Sequence, residues 1–132
     1  MTPMLDQDIL CATDLSPVSD EAVRAANEVA SRLSTKVTLL HVLDKGHREA
    51  DREQALAAMQ AQLARTGGGE RMSPKLLEGG FMKAIAEESS QGHSLLVLGT
   101  HGARGLRQNL FGTDILKLVR HAATPSLVVQ KG

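Results

Sequence analysis

The sequence predicts an α/β domain built on one doubly wound parallel sheet. Five short apolar runs alternate with four helical periods, the pattern that right-handed crossovers lay into a single sheet. The runs at 37–42, 95–98 and 127–129 are nearly continuous rather than alternating, as suits strands covered on both faces. The chain of 132 residues has the size of one domain, 1–132, with no linker, internal repeat or low-complexity tract.

The first strand is Ile9-Leu10-Cys11-Ala12. Ser16-Pro17 then opens a helix, a hydroxyl N-cap followed by proline in the first turn, and Val18, Ala22, Ala25, Ala26, Val29 and Leu33 predict its apolar stripe. The second strand is 37–42. Leu56, Met59 and Leu63 mark the second helix, stopped by Gly67-Gly68-Gly69, a surface loop or else a flexible tether. A third strand is centred on 75–77. Met82, Ile85, Ala86 and Ser89 mark the third helix, which stops near Gly92. The fourth strand is 95–98. After a long loop, Ile115, Leu118, Val119 and Ala122 mark the fourth helix, ended before Pro125, and the last strand is Leu127, Val128 and Val129.

Composition narrows the class. Fifteen basic side chains balance fifteen acidic ones, which argues against a nucleic-acid binder working by bulk charge. With no Trp, no Tyr and two Phe, the core must be aliphatic. The single cysteine, Cys11, forms no intrachain disulfide and suits a reducing compartment, where it fills core rather than reacts. No run reaches membrane-spanning length. Residues 1–8 carry two acidic and no basic side chains, unlike a signal peptide, so the expected location is the cytoplasm.

In an open parallel sheet, ligands bind beyond the carboxyl ends of the strands, where the chain order reverses. The loops after the strands therefore matter most. One runs Gly99-Thr100-His101-Gly102-Ala103-Arg104-Gly105 and on to Gly112-Thr113, which opens a helix. Glycines let the backbone approach phosphate oxygens, and a helix N-terminus offers free N–H donors. Thr113 can add a hydroxyl, Arg104 and Arg107 positive charge, and His101 a further contact. A long connection can also be merely tolerated, although such loops are usually functional. The stretch is not a P-loop, since no lysine follows a glycine as that pattern requires. The first strand–helix turn, Ala12-Thr13-Asp14-Leu15-Ser16, has no glycine and so lacks the dinucleotide fingerprint.

Gly99-x2-Gly102-x9-Gly112-Thr113 resembles the nucleotide signature of the universal stress protein family, Gly-x2-Gly-x9-Gly-Ser/Thr. The openings of the first, second and last strands, Ile9-Leu10-Cys11-Ala12-Thr13-Asp14, Leu39-Leu40-His41-Val42 and Thr124-Pro125-Ser126-Leu127, look like the corresponding segments of that family. The resemblance covers essentially the whole chain. It implies a Rossmann-like three-layer sandwich with a five-stranded parallel sheet in the order 3-2-1-4-5. It also implies an adenine nucleotide, ATP or else ADP or AMP, bound across the reversal between strands one and four. Asp14 would then accept from the ribose or base, Val42 would meet adenine through its backbone, and Ala12 and Thr13 would line the pocket. Gly99, Gly102, Gly112 and Thr113 would hold the phosphates, with His101, Arg104 and Gly105 beside them. A Mg²⁺ or Mn²⁺ ion would ride on the phosphates. Relatives pair through the last strand, so a homodimer through Leu127, Val128 and Val129 is expected.

The family pattern and this chain differ in three places. Ser94 stands where many members have aspartate, Leu98 replaces a common methionine, and the link after Val42 is short. Asp14 also has a simpler reading as a turn residue before a helix. Three functional classes follow: a nucleotide-dependent stress-response regulator acting on an unidentified protein partner, a dimerisation module without nucleotide, and a slow ATPase. No general base beyond Asp14 is evident, so fast turnover is not expected. The five histidines show no metal-ligand spacing, and Asp20, Glu21 and Arg24 read as a solvated helix face.

Overall fold

The computed structural model describes residues 8–46, 48–99 and 112–129, the side chains of 112–116 apart. Five strands, β1 Ile9–Ala12, β2 Val37–Leu43, β3 Met72–Glu78, β4 Leu95–Gly99 and β5 Ser126–Val129, form one parallel sheet in the order β3-β2-β1-β4-β5. Four helices alternate with them: α1 Asp20–Leu33, α2 Glu49–Thr66, α3 Phe81–Ser89 and α4 Gly112–His121. Fold class and strand order are as the sequence and its resemblance imply. Among the described residues, no helix is long and apolar enough to cross a membrane.

The continuity of the strand sequences follows from burial on two faces. Successive side chains of a strand point to opposite faces. Ile9, Cys11, Val37, Leu39 and Val97 therefore pack into one core with Ala22, Val23, Ala26 and Ala30 of α1 and Met59 and Leu63 of α2. Leu10, Ala12, Leu40, Val42, Leu96 and Leu98 pack into a second with Ala84 and Ile85 of α3 and Leu118 of α4. In β1, Cys11 pairs in register with Leu39 on one side and Val97 on the other. Cys11 is fully buried and its thiol is pushed up to about 12 by that burial, which makes it a core residue rather than a nucleophile.

Two helix stripes sit at a different angle from the one the apolar residues predict. On α1 the buried face is Ala22, Val23, Ala26 and Ala30, while Leu33 is 42 % exposed. On α2 it is Ala55, Met59, Gln62, Leu63 and Thr66, while Leu56 is 38 % exposed. Polar side chains at inward positions displaced the apparent stripe. The first turn ahead of α1 is a short 3-10 segment, Pro17–Ser19, capped by the Ser16 hydroxyl as expected.

The glycine triplet is a helix stop and not a tether. Gly67 closes α2 at φ +75°, and a Cβ on Gly68 would come within 2.6 Å of the buried Met72 sulfur. The chain turns at once through a 3-10 segment, Gly69–Arg71, into β3. That strand is longer than its apolar centre suggests because it lies at the sheet edge, paired only with β2, and carries Ser73, Pro74 and Lys75 exposed. Proline is tolerated at such an edge and blocks further strand addition.

Candidate functional site

The strand order reverses between β1 and β4, and at that point their carboxyl ends leave the sheet side by side, with Val42 near the end of the neighbouring β2. Ala12, Thr13, Asp14 and Gly99 therefore come to one end of one crevice. Gly112 opens α4, as the sequence predicts. His101, Gly102, Arg104 and Gly105 lie outside the described residues, as does the Thr113 side chain.

The β1–α1 turn is tightly held. The Thr13 N–H donates to the Leu40 carbonyl at 2.9 Å, continuing the sheet one step past β1. Leu15 sits at φ +69°, a left-handed conformation that side chains other than glycine rarely adopt. Such local strain persists only where the surroundings over-determine it, and it gathers at functional turns. Here the Asp14 carboxylate Oδ1 accepts from the Ser16 N–H at 2.9 Å and from the Ser16 hydroxyl at 2.6 Å. The turn reading of Asp14 is thus realised, and it fixes the carboxylate, buried at the end of β1.

Beneath the turn lies a polar network that the sequence did not announce. Gln62, fully buried on α2, accepts from the Thr13 hydroxyl at 2.7 Å through Oε1. Its Nε2 donates to the Ser19 hydroxyl at 2.9 Å and to Asp20 Oδ1 at 2.8 Å. Arg65, one turn further along α2, grips the same Asp20 with a two-pronged contact of 2.7 and 2.9 Å. Burial pushes the Asp20 carboxyl up, but hydrogen bonds from Arg65 and Gln62 and the charges of Arg65 and Arg24 more than offset it and hold it below the usual carboxylate range. Asp20 is therefore a buried partner, not part of a solvated face; Glu21 and Arg24 are exposed as expected. The signal for Gln62 was its phase: it falls in step with Ala55, Met59, Leu63 and Thr66 on the inward side of α2.

His41, buried in β2, makes a 2.9 Å hydrogen bond from Nδ1 to the Thr13 carbonyl. A carbonyl can only accept, so Nδ1 carries the proton. With Thr13 occupied in this way, the turn is tied to β2, α1 and α2 at once. Among the described residues, no group of three or more His, Cys, Asp or Glu could hold a metal ion.

Gly99 ends β4 without a left-handed φ. A Cβ built on it would meet Ala22 Cβ at 3.7 Å, ordinary contact distance. Neither the backbone conformation nor the described packing demands glycine there.

A parallel sheet with helices between its strands and its order reversed between β1 and β4 defines a doubly wound α/β domain. The model of the universal stress protein family matches residues 7–130, and the chain belongs to that family. No curated protein sequence matches it. A universal stress protein solved in complex with cAMP is 21 % identical, with a TM-score of 0.77 over 96 % of this chain and 98 % of that one. A universal stress protein of Archaeoglobus fulgidus solved in complex with dAMP is 18 % identical, with a TM-score of 0.76 over 94 % and 98 % of the two chains. The universal stress protein UspA of Lactobacillus plantarum is 22 % identical, with a TM-score of 0.73 over 94 % and 98 %.

Proposed function

We propose that the chain binds an adenine nucleotide, ATP in its working state, and acts as a nucleotide-dependent stress-response regulator. Asp14 takes the ribose or base, with Ala12, Thr13 and Val42 around it. Gly99, Gly102, Gly112 and Thr113 hold the phosphates, with His101, Arg104 and Gly105 at the rim. The observation that carries the reading is Gly99, a glycine that neither φ nor the described packing explains. A bare backbone at this strand end lets a polyanion approach closely. Family membership and the cAMP and dAMP bound to two structural relatives support the choice of an adenine nucleotide. A Mg²⁺ or Mn²⁺ ion would be carried by the phosphates.

Occupancy regulates by stabilising one arrangement of the 99–112 connection, because differential affinity is the only source of such a shift. The partner that reads it is a protein. Leu127, 37 % exposed on the edge strand β5, supports a homodimer built through Leu127, Val128 and Val129.

Calorimetry with ATP and Mg²⁺ tests the reading on wild type, Gly99→Ala and the Gly102→Val, Gly112→Val double variant. Wild type is expected to bind. Gly99→Ala should fold as stably as wild type yet bind about tenfold more weakly, and the double variant should lose binding. Equal binding by all three would remove the site, and no binding by wild type would leave a dimerisation module.

A further inference from the structure

We propose that Gln62 on α2 is a positioning residue for the nucleotide site: buried beneath the β1–α1 turn, it fixes the orientation of Asp14 through the Thr13 hydroxyl. The inference rests on the nucleotide reading above and adds to it a residue that the ligand does not touch. Gln62 has no exposed surface, so any influence on a ligand passes through its neighbours.

Asp14 is held through the peptide groups on either side of it. The Thr13 carbonyl belongs to the peptide before Asp14, and His41 Nδ1–H donates to it at 2.9 Å. The Leu15 N–H belongs to the peptide after Asp14, and it donates to the Thr13 hydroxyl oxygen at 3.0 Å. A peptide group is planar, so holding both planes sets φ and ψ of the residue between them. The second hold carries the greater burden, because Leu15 stands at φ +69°, where leucine is rarely found.

Gln62 decides which way the Thr13 hydroxyl works. A hydroxyl has one proton and two lone pairs. Gln62 Oε1, 2.7 Å away, takes the proton, which leaves the lone pairs for the Leu15 N–H. The amide is kept from turning over by Asp20, whose Oδ1 lies 2.8 Å from Nε2. That carboxylate is paired with Arg65 at 2.7 Å and can only accept. A chain of contacts therefore runs from Arg65 through Asp20, Gln62 and the Thr13 hydroxyl to the peptide beside Asp14.

The test is a double-mutant cycle on the intact chain, with binding of ATP and Mg²⁺ followed by calorimetry in wild type, Gln62→Leu, Asp14→Asn and the double variant. Gln62→Leu is expected to weaken ATP about tenfold in the wild-type background and less than about twofold beside Asp14→Asn, since it acts only through that carboxylate. A merely structural role would cost the same in both backgrounds, and that result overturns the proposal. Unchanged affinity in Gln62→Leu overturns it too, with Ser19 Oγ, 2.9 Å from the Thr13 hydroxyl, taking over the proton. So does an Asp14→Asn variant that binds as wild type does. Thr13→Val breaks the same link from its other end and should reproduce the pattern, which keeps the test decisive if Gln62→Leu does not fold. Absence of ATP binding by wild type removes the nucleotide reading and this proposal with it; the other adverse outcomes, with wild type binding, strike only the role of Gln62.

Discussion

Gln62 on α2 donates to Asp20 at the head of α1 across 2.8 Å, joining two helices that sequence separates by more than forty residues. The amide is used at both ends, since its oxygen takes the Thr13 hydroxyl. A buried amide satisfied in this way specifies one arrangement of α1, α2 and the β1–α1 turn. Replacing it strands its partners: Gln62→Leu is expected to cost about 1–3 kcal/mol, because Thr13 and Ser19 lose a partner in a dry site. Urea unfolding measures it. A loss within error of zero would mean that the hydroxyls re-pair among themselves.

Acid should expose two other buried carboxylates. Burial pushes Glu88 up, but hydrogen bonds from His93 and Lys75 and their charges more than offset it, so the group sits below its ordinary 4.5. Asp20 likewise sits below its ordinary 3.8. A carboxyl depressed in the folded state contributes stability that is complete above its unfolded value and is lost as pH falls through the folded one. Wild type should therefore lose urea resistance steeply between about pH 5 and pH 3. Lys75→Met removes one of the two partners of Glu88, so it should be less stable at neutral pH and show a shallower acid slope. A slope equal to wild type would take Glu88 out of the account.

Thiol chemistry separates core from surface. With its pKa pushed up to about 12 and its side chain fully buried, Cys11 should resist iodoacetamide in the native protein at mildly alkaline pH and react at once in urea. Mass spectrometry of the alkylated chain reads both states. Rapid native labelling would mean that β1 opens locally, well below the global unfolding free energy.

The sheet was legible in the sequence because its signal is apolar and local. β1 falls at Ile9–Ala12 as its four residues suggest, and the glycine and proline stops of the helices fall where they should. Gln62 carried only the faint signal of its phase on α2 and Asp20 carried none, because a polar residue at an inward position looks the same in sequence as one facing water. Only the packing of α2 against α1 distinguishes them. The same ambiguity turned Leu33 and Leu56 outward against expectation. His93 shows the limit from the other side: its burial depends on Lys75 and Glu88, which are remote or unremarkable in sequence and meet only across β3 and α3. Of the residues the resemblance implicates, Ala12, Thr13, Asp14, Val42 and Gly99 lie at or just past the carboxyl ends of β1, β2 and β4, and Gly112 opens α4.

Ser34 and Leu15 offer a comparison of backbone strain with and without packing. Both lie in the left-handed region, at φ +57° and +69°. Ser34 caps the end of α1, is exposed, and donates its N–H back to the helix carbonyls. Glycine removes the left-handed cost of about 1–2 kcal/mol and adds an unfolded-state entropy cost of about 0.5–1 kcal/mol, so Ser34→Gly should stabilise by about 0.5 kcal/mol. Leu15 relieves the same backbone cost if replaced by glycine, but its side chain packs against the core under α1. Losing that partly buried contact costs about 1–2 kcal/mol, so Leu15→Gly should be neutral or destabilising. Thermal unfolding of the two variants side by side decides it. A stabilised Leu15→Gly would show that the side chain contributes less than its conformation costs, and that the turn beside Asp14 keeps a leucine for a reason other than stability.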